Sequence, residues 1–326
     1  MKRLLKILKK HWLAIVLAVF LGLTVTGPYV YFRIKLGPNF QGINRQMADD
    51  SMFYLARIRD VIDGHPTLSN AYLWEHKNRP PQQLFLAEYL LAKPLKWLRL
   101  DVATGQLVYN FILPAVIFLL SYAAVFLIFP DKFWAVMLSI TANFGLFLFS
   151  LFRPVSPQFN FIFWLSQFIF IWLLISGHRS KRIIATNIIS FGLLFYIYPY
   201  FWTYYLIFFF LLAASYFLRN KNLTFDLLKI IIGGLILAGY YFYYSFQASE
   251  LPYFEETMTR LQLIYSRFPS GINVLTWSGL LLGMIFIFLR QKLIQMSKET
   301  IFFSIGAMAA IIAVNQHIIT NRNFEF

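Results

Sequence analysis

Cysteine is absent from the 326 residues of this chain, and charged residues are scarce. The lack of cysteine excludes disulfide bonds and metal sites built on thiolates. Charged residues make up 13% of the chain, which is about half of their share in an ordinary soluble domain. Apolar residues are plentiful instead: 59% of the chain is hydrophobic and 20% is aromatic. They cluster in runs close to the roughly 20 residues that a helix needs to cross a bilayer. The composition therefore predicts an all-α, polytopic membrane protein.

Nine apolar runs are predicted to be transmembrane helices of a single transmembrane domain over residues 1–326. They cover 12–32, 105–129, 132–152, 157–177, 183–198, 200–218, 228–247, 272–290 and 300–317. The first run is too long for the apolar core of a signal peptide and lacks a clear cleavage site of small residues, so we expect a retained anchor. The fifth and sixth runs meet at Pro199, which either separates two helices or kinks one long helix.

The Lys and Arg residues between the runs predict which side each loop faces. With the N-terminus inside, the inner segments hold 15 basic and three acidic residues, and the outer segments hold 14 basic and 11 acidic residues. Most outer basic residues lie in the long first loop, where they have little influence on orientation. The net charge of +15 is thus explained by orientation signals, and no nucleic-acid partner is expected. We expect a cytoplasmic N-terminus in the plasma membrane of a prokaryote.

Two outer segments are too long to be simple turns. The first, 33–103, is predicted to carry two amphipathic helices at the membrane interface. One covers 50–63 and ends at Gly64, a residue suited to a left-handed helix cap. The other begins at Pro80-Pro81, because proline is favoured at the first helical position. The second outer segment, 248–271, is predicted to contain a shorter interfacial helix.

The acidic pair Asp49-Asp50 stands just beyond the first apolar run. Asp is a favoured N-cap and suits the helix dipole, so capping is one explanation of the pair. The other is catalytic, because a carboxylate just outside the bilayer can act as general base at the depth where a lipid-linked donor presents its phosphate. Asp50 is the predicted base because it shares a helix face with Tyr54 and Arg57. Asp49 is predicted to orient the acceptor or, with Asp50, to bind a divalent cation such as Mg²⁺ or Mn²⁺.

The layout of the chain resembles the glycosyltransferase C superfamily. The resemblance rests on a first span, an acidic pair followed by Phe53-Tyr54-Leu55-Ala56-Arg57, and a long outer loop with two interfacial helices. Members of this superfamily are polytopic enzymes that take a sugar from a polyprenyl-phosphate or polyprenyl-diphosphate carrier. Their catalytic acid lies in a short acidic motif of the first outer loop, and by position this implies Asp49 and Asp50 here.

The resemblance also implies the reaction and its partners. A hexosyl or pentosyl group would pass, by an inverting transfer, from the polyprenyl-phosphate-linked sugar to an acceptor on the outer face of the membrane. Membrane lipids would surround the enzyme. Members often continue with more spans or a soluble C-terminal domain, whereas this chain stops at Phe326. We therefore expect a shortened relative or a truncated chain.

Several polar residues in the outer segments are candidates for substrate binding. Arginine suits bidentate contact with phosphate, although snorkelling at the interface or a salt bridge is an alternative for each basic residue. Arg57 is expected either to pair with Asp50 or to meet the donor phosphate. His65 and His76 each either assist proton transfer or are surface hydrogen-bonding groups. Gln316 and His317, near the end of the last run, either line a cavity or hold helices together. The full set of candidates is Tyr54, Arg57, His65, His76, Lys77, Arg79, Arg153, Gln158, Arg260, Arg267, Gln316 and His317.

Two other functions fit the same composition. A transporter or flippase for lipid or polysaccharide predicts charged or broken helices near the bilayer midplane and repeated halves. The apolar runs carry almost no charge, and no repeat is evident. A non-catalytic scaffold, or a fragment of this architecture, does not require the ionisable groups that are concentrated in the outer segments.

Overall fold

The computed structural model describes residues 8–47, 50–66, 85–260, 263–321 and 323–324. These residues are mostly helical, with two short strands, β1 (Leu263–Ile264) and β2 (Asn323–Phe324), paired antiparallel. The chain divides into two compact units, residues 1–172 and 173–326, and each is described by itself.

The described part of the first unit contains six α-helices. They are α1 (Trp12–Leu36), α2 (Ser51–Asp63), α3 (Leu86–Leu98), α4 (Val102–Ile128), α5 (Lys132–Ile140) and α6 (Asn160–Ile175), whose last residues extend into the second unit. A π-helix (Thr141–Leu146) and a 3-10 helix (Phe149–Phe152) continue α5. The predicted run 132–152 is therefore helical but is not one regular α-helix.

The long segments of this unit alternate in direction. Helices α1 and α4 are antiparallel, because Nδ1 of His11 lies 2.6 Å from the Tyr122 hydroxyl at one end and Nη1 of Arg33 donates to Thr104 Oγ1 at 3.4 Å at the other. The 3-10 helix that follows α5 returns to the Arg33 end of α1, where the Tyr29 hydroxyl donates to the Phe152 carbonyl. Helix α6 then runs back, since Trp172 Nε1 donates to the Leu127 carbonyl at 3.0 Å.

The second unit contains eight described helices, several of them separated by short breaks. They are α7 (Lys181–Ile197), α8 (Pro199–Tyr216), α9 (Lys221–Leu237), α10 (Gly239–Ser249), α11 (Phe254–Arg260), α12 (Ile272–Arg290), α13 (Lys298–Val314) and α14 (His317–Thr320). Tyr198 is extended (φ −160°, ψ 129°) and Pro199 begins α8, so the chain forms two helices here rather than one kinked helix. Helices α9 and α10 are bent by 46° at their junction.

Helices α7 and α9 run in the same direction with α8 between them in sequence. Arg179 binds Asp226 at the end where both helices begin, and the Tyr196 hydroxyl donates to the Leu237 carbonyl at 2.7 Å where both end. The start of α12 lies near the end of α13, because the Ser270 backbone N–H donates to Asn315 Oδ1 at 3.0 Å. These two helices are therefore antiparallel.

Several helices are long and apolar enough to cross a membrane, and the architecture is compatible with a membrane protein. In the described part of the chain they are Trp12–Asn39, Val102–Ile128, Ile272–Arg290 and Lys298–Thr320, with α9 and α10 as a fifth if the bent pair forms one span. The predicted count of nine is not confirmed. The other predicted runs fall on helices of 16 to 18 residues (α6, α7 and α8) or on the interrupted helix that begins with α5.

The first outer segment contains two helices in its described part. Helix α2 covers the predicted range and ends at Gly64, which has the expected left-handed conformation (φ 109°). Helix α3 begins at Leu86 with Phe85 as its N-cap, five residues after Pro81, and Pro80-Pro81 lie outside the described residues. Within 248–271 the helix α11 has seven residues. The interfacial position of these helices stays a prediction.

Candidate active site at Asp50, Tyr54 and Arg153

Asp50 occupies the N-cap position of α2, but its side chain makes no capping hydrogen bond. Its Oδ2 atom instead accepts a hydrogen bond from Nη2 of Arg153 at 2.5 Å. The partner lies 103 residues further along the chain, so tertiary structure rather than helix initiation determines where this carboxylate points. Its predecessor Asp49 lies outside the described residues. For Asp50, capping by the side chain is therefore not what the structure shows.

Arg153 directly follows the 3-10 helix, and hydrogen bonds to the body of the first unit hold the turn that carries it. The backbone N–H of Arg153 donates to the Ser150 carbonyl at 3.2 Å. Gln158, which is fully buried, donates through Nε2 to the Leu151 carbonyl at 2.8 Å and to Asn110 Oδ1 at 2.9 Å. Since Asn110 belongs to α4, these bonds fix the Arg153 turn relative to that helix. Gln158 thus holds the Arg153 turn against α4 from a fully buried position.

Tyr54 lies one helical turn after Asp50, is half-buried, and lies beside Arg153. Burial raises the pKa of Tyr54 above its ordinary value of 10.0; the charge of Arg153 opposes this shift, and the carboxylates of Glu88 and Asp50 add to it. At neutral pH the phenol is therefore uncharged. Tyr54 can donate or accept a hydrogen bond but cannot act as a base.

Arg57 has a different partner from the one that its spacing suggested. Its Nε atom donates to Glu88 Oε1 at 2.7 Å, and both side chains are at most 5% exposed. The guanidinium also lies over the Phe53 ring, 5.2 Å from the centroid. A buried charge is stable only with a well-placed counter-charge. Arg57 therefore joins α2 to α3 and is not accessible for binding donor phosphate.

The side chains of Asp50, Tyr54 and Arg153 form a compact set of complementary groups. The guanidinium has five N–H donors, and its outer part is partly exposed, with 35% of the side chain accessible against 56% for Asp50. Its Nε atom is buried and has no hydrogen-bond partner within the described residues. Such a group can bind an oxyanion in bidentate fashion, while the adjacent carboxylate can take a proton.

The remaining candidates of the first unit are only partly described. His65 follows the Gly64 cap, is half-buried, and donates its backbone N–H to the Asp60 carbonyl at 2.9 Å. His76, Lys77 and Arg79 lie outside the described residues, so their predicted roles stay predictions.

The candidates of the second unit lie around the connection between α11 and α12 and the end of α13. Arg267 is exposed, and the side chain of Arg260 lies outside the described part. His317 is fully buried, with Nε2 2.8 Å from the Phe268 carbonyl and Nδ1 3.1 Å from the Val314 carbonyl. Gln316 Oε1 accepts from the Thr320 hydroxyl at 2.8 Å. Of the two explanations that the sequence left open for His317, these contacts favour holding segments together.

A cation site on Asp49 and Asp50 stays a prediction, because Asp49 is not described. Within the described ranges, no group of three or more His, Asp and Glu side chains is placed to hold a metal ion.

Two polar features of the first unit were not identified from the sequence. One is Glu88, the buried partner of Arg57. The other is a cluster at the end of α1, where Arg33 Nε donates to Asn44 Oδ1 at 2.8 Å and Asn44 Nδ2 donates to Gln106 Oε1 at 3.0 Å. The sequence does contain a signal for Glu88, which is a charged residue between Ala87 and Tyr89. A charge in such apolar surroundings requires a partner when it is buried.

Comparisons of the chain with protein-family models, with curated proteins and with solved structures give no match.

Proposed function

We propose that this chain is a membrane glycosyltransferase of the C type, which transfers a sugar from a polyprenyl-phosphate or polyprenyl-diphosphate carrier to an acceptor on the outer face of the plasma membrane. The observation that carries the proposal is the ion pair between Asp50 and Arg153, with Tyr54 beside the same guanidinium. Transfer from a phosphate-linked sugar requires a general base and a cation for the departing phosphate. The two side chains supply both groups side by side.

In the proposed reaction Arg153 exchanges partners. The donor phosphate competes with Asp50 for the guanidinium, and the released carboxylate then faces the acceptor. The acceptor hydroxyl oxygen forms a bond to the anomeric carbon of the sugar, and the bond from that carbon to the phosphate oxygen breaks. The phosphate leaves with the bonding electron pair, Asp50 takes the hydroxyl proton, and the neutral phenol of Tyr54 donates a hydrogen bond to the departing phosphate.

The proposal includes nine spans with the N-terminus inside. Its support is the alternating direction of successive segments within each unit, given by contacts such as Tyr29 with Phe152 and Trp172 with Leu127 in the first unit. In this topology α2, α3 and Arg153 lie at the outer surface, where the headgroup of a lipid-linked donor is found.

The base is tested by assaying the purified full chain with radiolabelled polyprenyl-linked sugars. We expect Asp50→Asn to lower transfer by about 10²-fold or more, which is the usual contribution of a general base. Asp63→Asn is the matched control, because Asp63 is an exposed carboxylate on the same helix, paired with Arg59. Equal rates for Asp50→Asn and Asp63→Asn would contradict the assignment of the base.

The phosphate contact is tested by Arg153→Lys and Arg153→Gln. Lysine keeps the charge but loses the bidentate geometry, so we expect the KM for the donor to rise in both variants and to rise more in the glutamine variant.

Movement of labelled lipid across the membrane without sugar transfer would favour a flippase. Neither transfer nor movement by the wild-type chain would favour a scaffold.

A further inference from the structure

The second unit contains a cleft between the end of α8 and the start of α13, away from every residue assigned a role above. Its volume is about 290 Å³ and its lining residues are Ser215, Arg219, Met296, Ile301, Ser304 and Ile305. This volume is at the lower end of the range for small-molecule sites. The cleft is therefore suited to a group the size of a phosphate ester rather than to a large ligand.

Two of the three polar side chains that line the cleft are available for binding. Arg219 is exposed, and its guanidinium has no hydrogen-bond or ion-pair partner within the described part of the chain. The Ser304 hydroxyl likewise makes no hydrogen bond to the described residues. Ser215 differs, because its hydroxyl donates to the Leu212 carbonyl at 2.8 Å. One cation and one hydroxyl thus face an otherwise apolar cleft.

The charge around the cleft is positive. The two segments that meet there, 216–229 and 290–299, carry six basic residues and two acidic ones. One of those acids, Asp226, is already bound by Arg179 and Lys229. The other, Glu299, lies near Tyr216 and is outnumbered by the surrounding cations. This balance favours an anionic ligand.

The position of the cleft along its helix suits a lipid headgroup. It opens at the beginning of Lys298–Thr320, one of the stretches long and apolar enough to cross a membrane. Ile301, Ser304 and Ile305 belong to the first two turns of that stretch. At 1.5 Å per residue they lie within roughly 10 Å of its end, where hydrocarbon gives way to headgroups.

We propose that this cleft binds the headgroup of an anionic phospholipid. Arg219 pairs with the phosphate, the Ser304 hydroxyl donates a hydrogen bond to it, and the upper part of an acyl chain lies along Met296, Ile301 and Ile305. Basic pockets between membrane helices are known to bind anionic headgroups in this way. This site does not depend on the proposed glycosyl transfer.

Native mass spectrometry of the delipidated full chain tests the proposal, with phosphatidylglycerol, phosphatidylcholine and glycerol 3-phosphate as separate probes. We expect phosphatidylglycerol to bind, and Arg219→Gln to weaken that binding about tenfold, the loss expected for one hydrogen bond to a charged group. Ser304→Ala should weaken it by a smaller factor. Lys221→Gln is the matched control, because Lys221 is an exposed cation two residues further along that does not line the cleft.

Three results would overturn the proposal. Unchanged binding in Arg219→Gln would remove the phosphate contact. An equal loss in Lys221→Gln would show attraction to surface charge instead of a site. Binding of phosphatidylcholine or of glycerol 3-phosphate as tight as that of phosphatidylglycerol would exclude an anionic lipid as the specific ligand.

Discussion

Among the described residues, two ion pairs connect the short helix α2 to the rest of the first unit, and they differ in burial. Arg57 and Glu88 are almost completely enclosed, whereas Asp50 and Arg153 are accessible to solvent over a third to a half of their side chains. A pair that solvent reaches can exchange one partner for a substrate group at modest cost, because exposed pairs contribute little stability. A fully enclosed pair cannot exchange partners in this way, because separating its charges leaves one of them unpaired in a medium of low polarity.

Removing one member of the enclosed pair therefore measures its structural role. We expect Arg57→Met to lower the free energy of unfolding by about 3–5 kcal/mol, because Glu88 is left charged and buried. Adding Glu88→Gln to that variant should restore part of the loss, since no unpaired charge then remains. The measurement is denaturant or thermal unfolding of the detergent-solubilised chain.

The matched control for this change is Arg59→Met on the same helix. Arg59 pairs with Asp63, but the two side chains are 60% and 45% exposed, so we expect a change below about 1 kcal/mol. A loss for Arg57→Met no larger than that for Arg59→Met would show that the buried pair does not hold α2 in place.

For individual helices, the sequence predicts where a helix begins or ends better than where its regular α-helical geometry is interrupted. The end of α2 at Gly64 and the start of α8 at Pro199 follow from the conformational preferences of glycine and proline, which act locally. The π-helix after α5 has no such local cause. It places Phe144 against the rings of Phe20 and Phe118, and contacts with two other helices cannot be read from the apolar pattern of one segment.

The same limit applies to the candidate site. All three residues were candidates from sequence, Asp50 and Tyr54 because they share a helix face and Arg153 because arginine suits contact with phosphate. Their assembly was not predictable, since no helical spacing relates residues 103 positions apart. Helical spacing predicted a pair between Arg57 and Asp50, two turns apart, but Arg57 pairs with Glu88, 31 residues further along the chain. Periodicity gives the neighbours within one helix and not those on the next helix.

Helix packing in the first unit depends on the absence of a side chain at Gly22. A Cβ atom at Gly22 would lie 2.5 Å from the carbonyl oxygen of Phe111 in α4, and a backbone atom cannot move aside as a flexible side chain can. We expect Gly22→Ala to separate α1 from α4 and to destabilise the chain by about 1–3 kcal/mol, as overpacked cores do. The readout is the midpoint of thermal unfolding.

Gly27 is the control in the same helix. A Cβ atom there meets nothing within 4 Å, and alanine is the better helix former. Gly27→Ala should therefore leave the midpoint unchanged or raise it. A fall of similar size in both variants would contradict the argument from close packing.

At the scale of the whole molecule, the ion pair between Asp50 and Arg153 limits how many segments of the first unit can run from one end of the unit to the other. Helix α4 begins at the Arg33 end of α1 and finishes at the His11 end. Arg153 lies with Asp50, so the chain must return between Ile128 and Arg153. Residues 132–152 cover about 30 Å at helical rise, which matches the hydrocarbon core of a bilayer. If only the longest apolar helices crossed the membrane, residues 132–152 would not cross it. Arg153 and Asp50 would then lie on opposite faces of the membrane.

The absence of cysteine makes this point testable with single-cysteine variants and a membrane-impermeant thiol reagent. We expect Ser150→Cys, three residues before Arg153, to be labelled in intact cells together with Asn39→Cys at the end of the first span. Lys132→Cys should be labelled only after the cells are permeabilised, because it lies at the other end of the returning segment. If Ser150→Cys instead behaves like Lys132→Cys, residues 132–152 do not cross the membrane. The contact between Asp50 and Arg153 could not then form in the membrane, and the base would lose the cation on which the proposed sugar transfer depends.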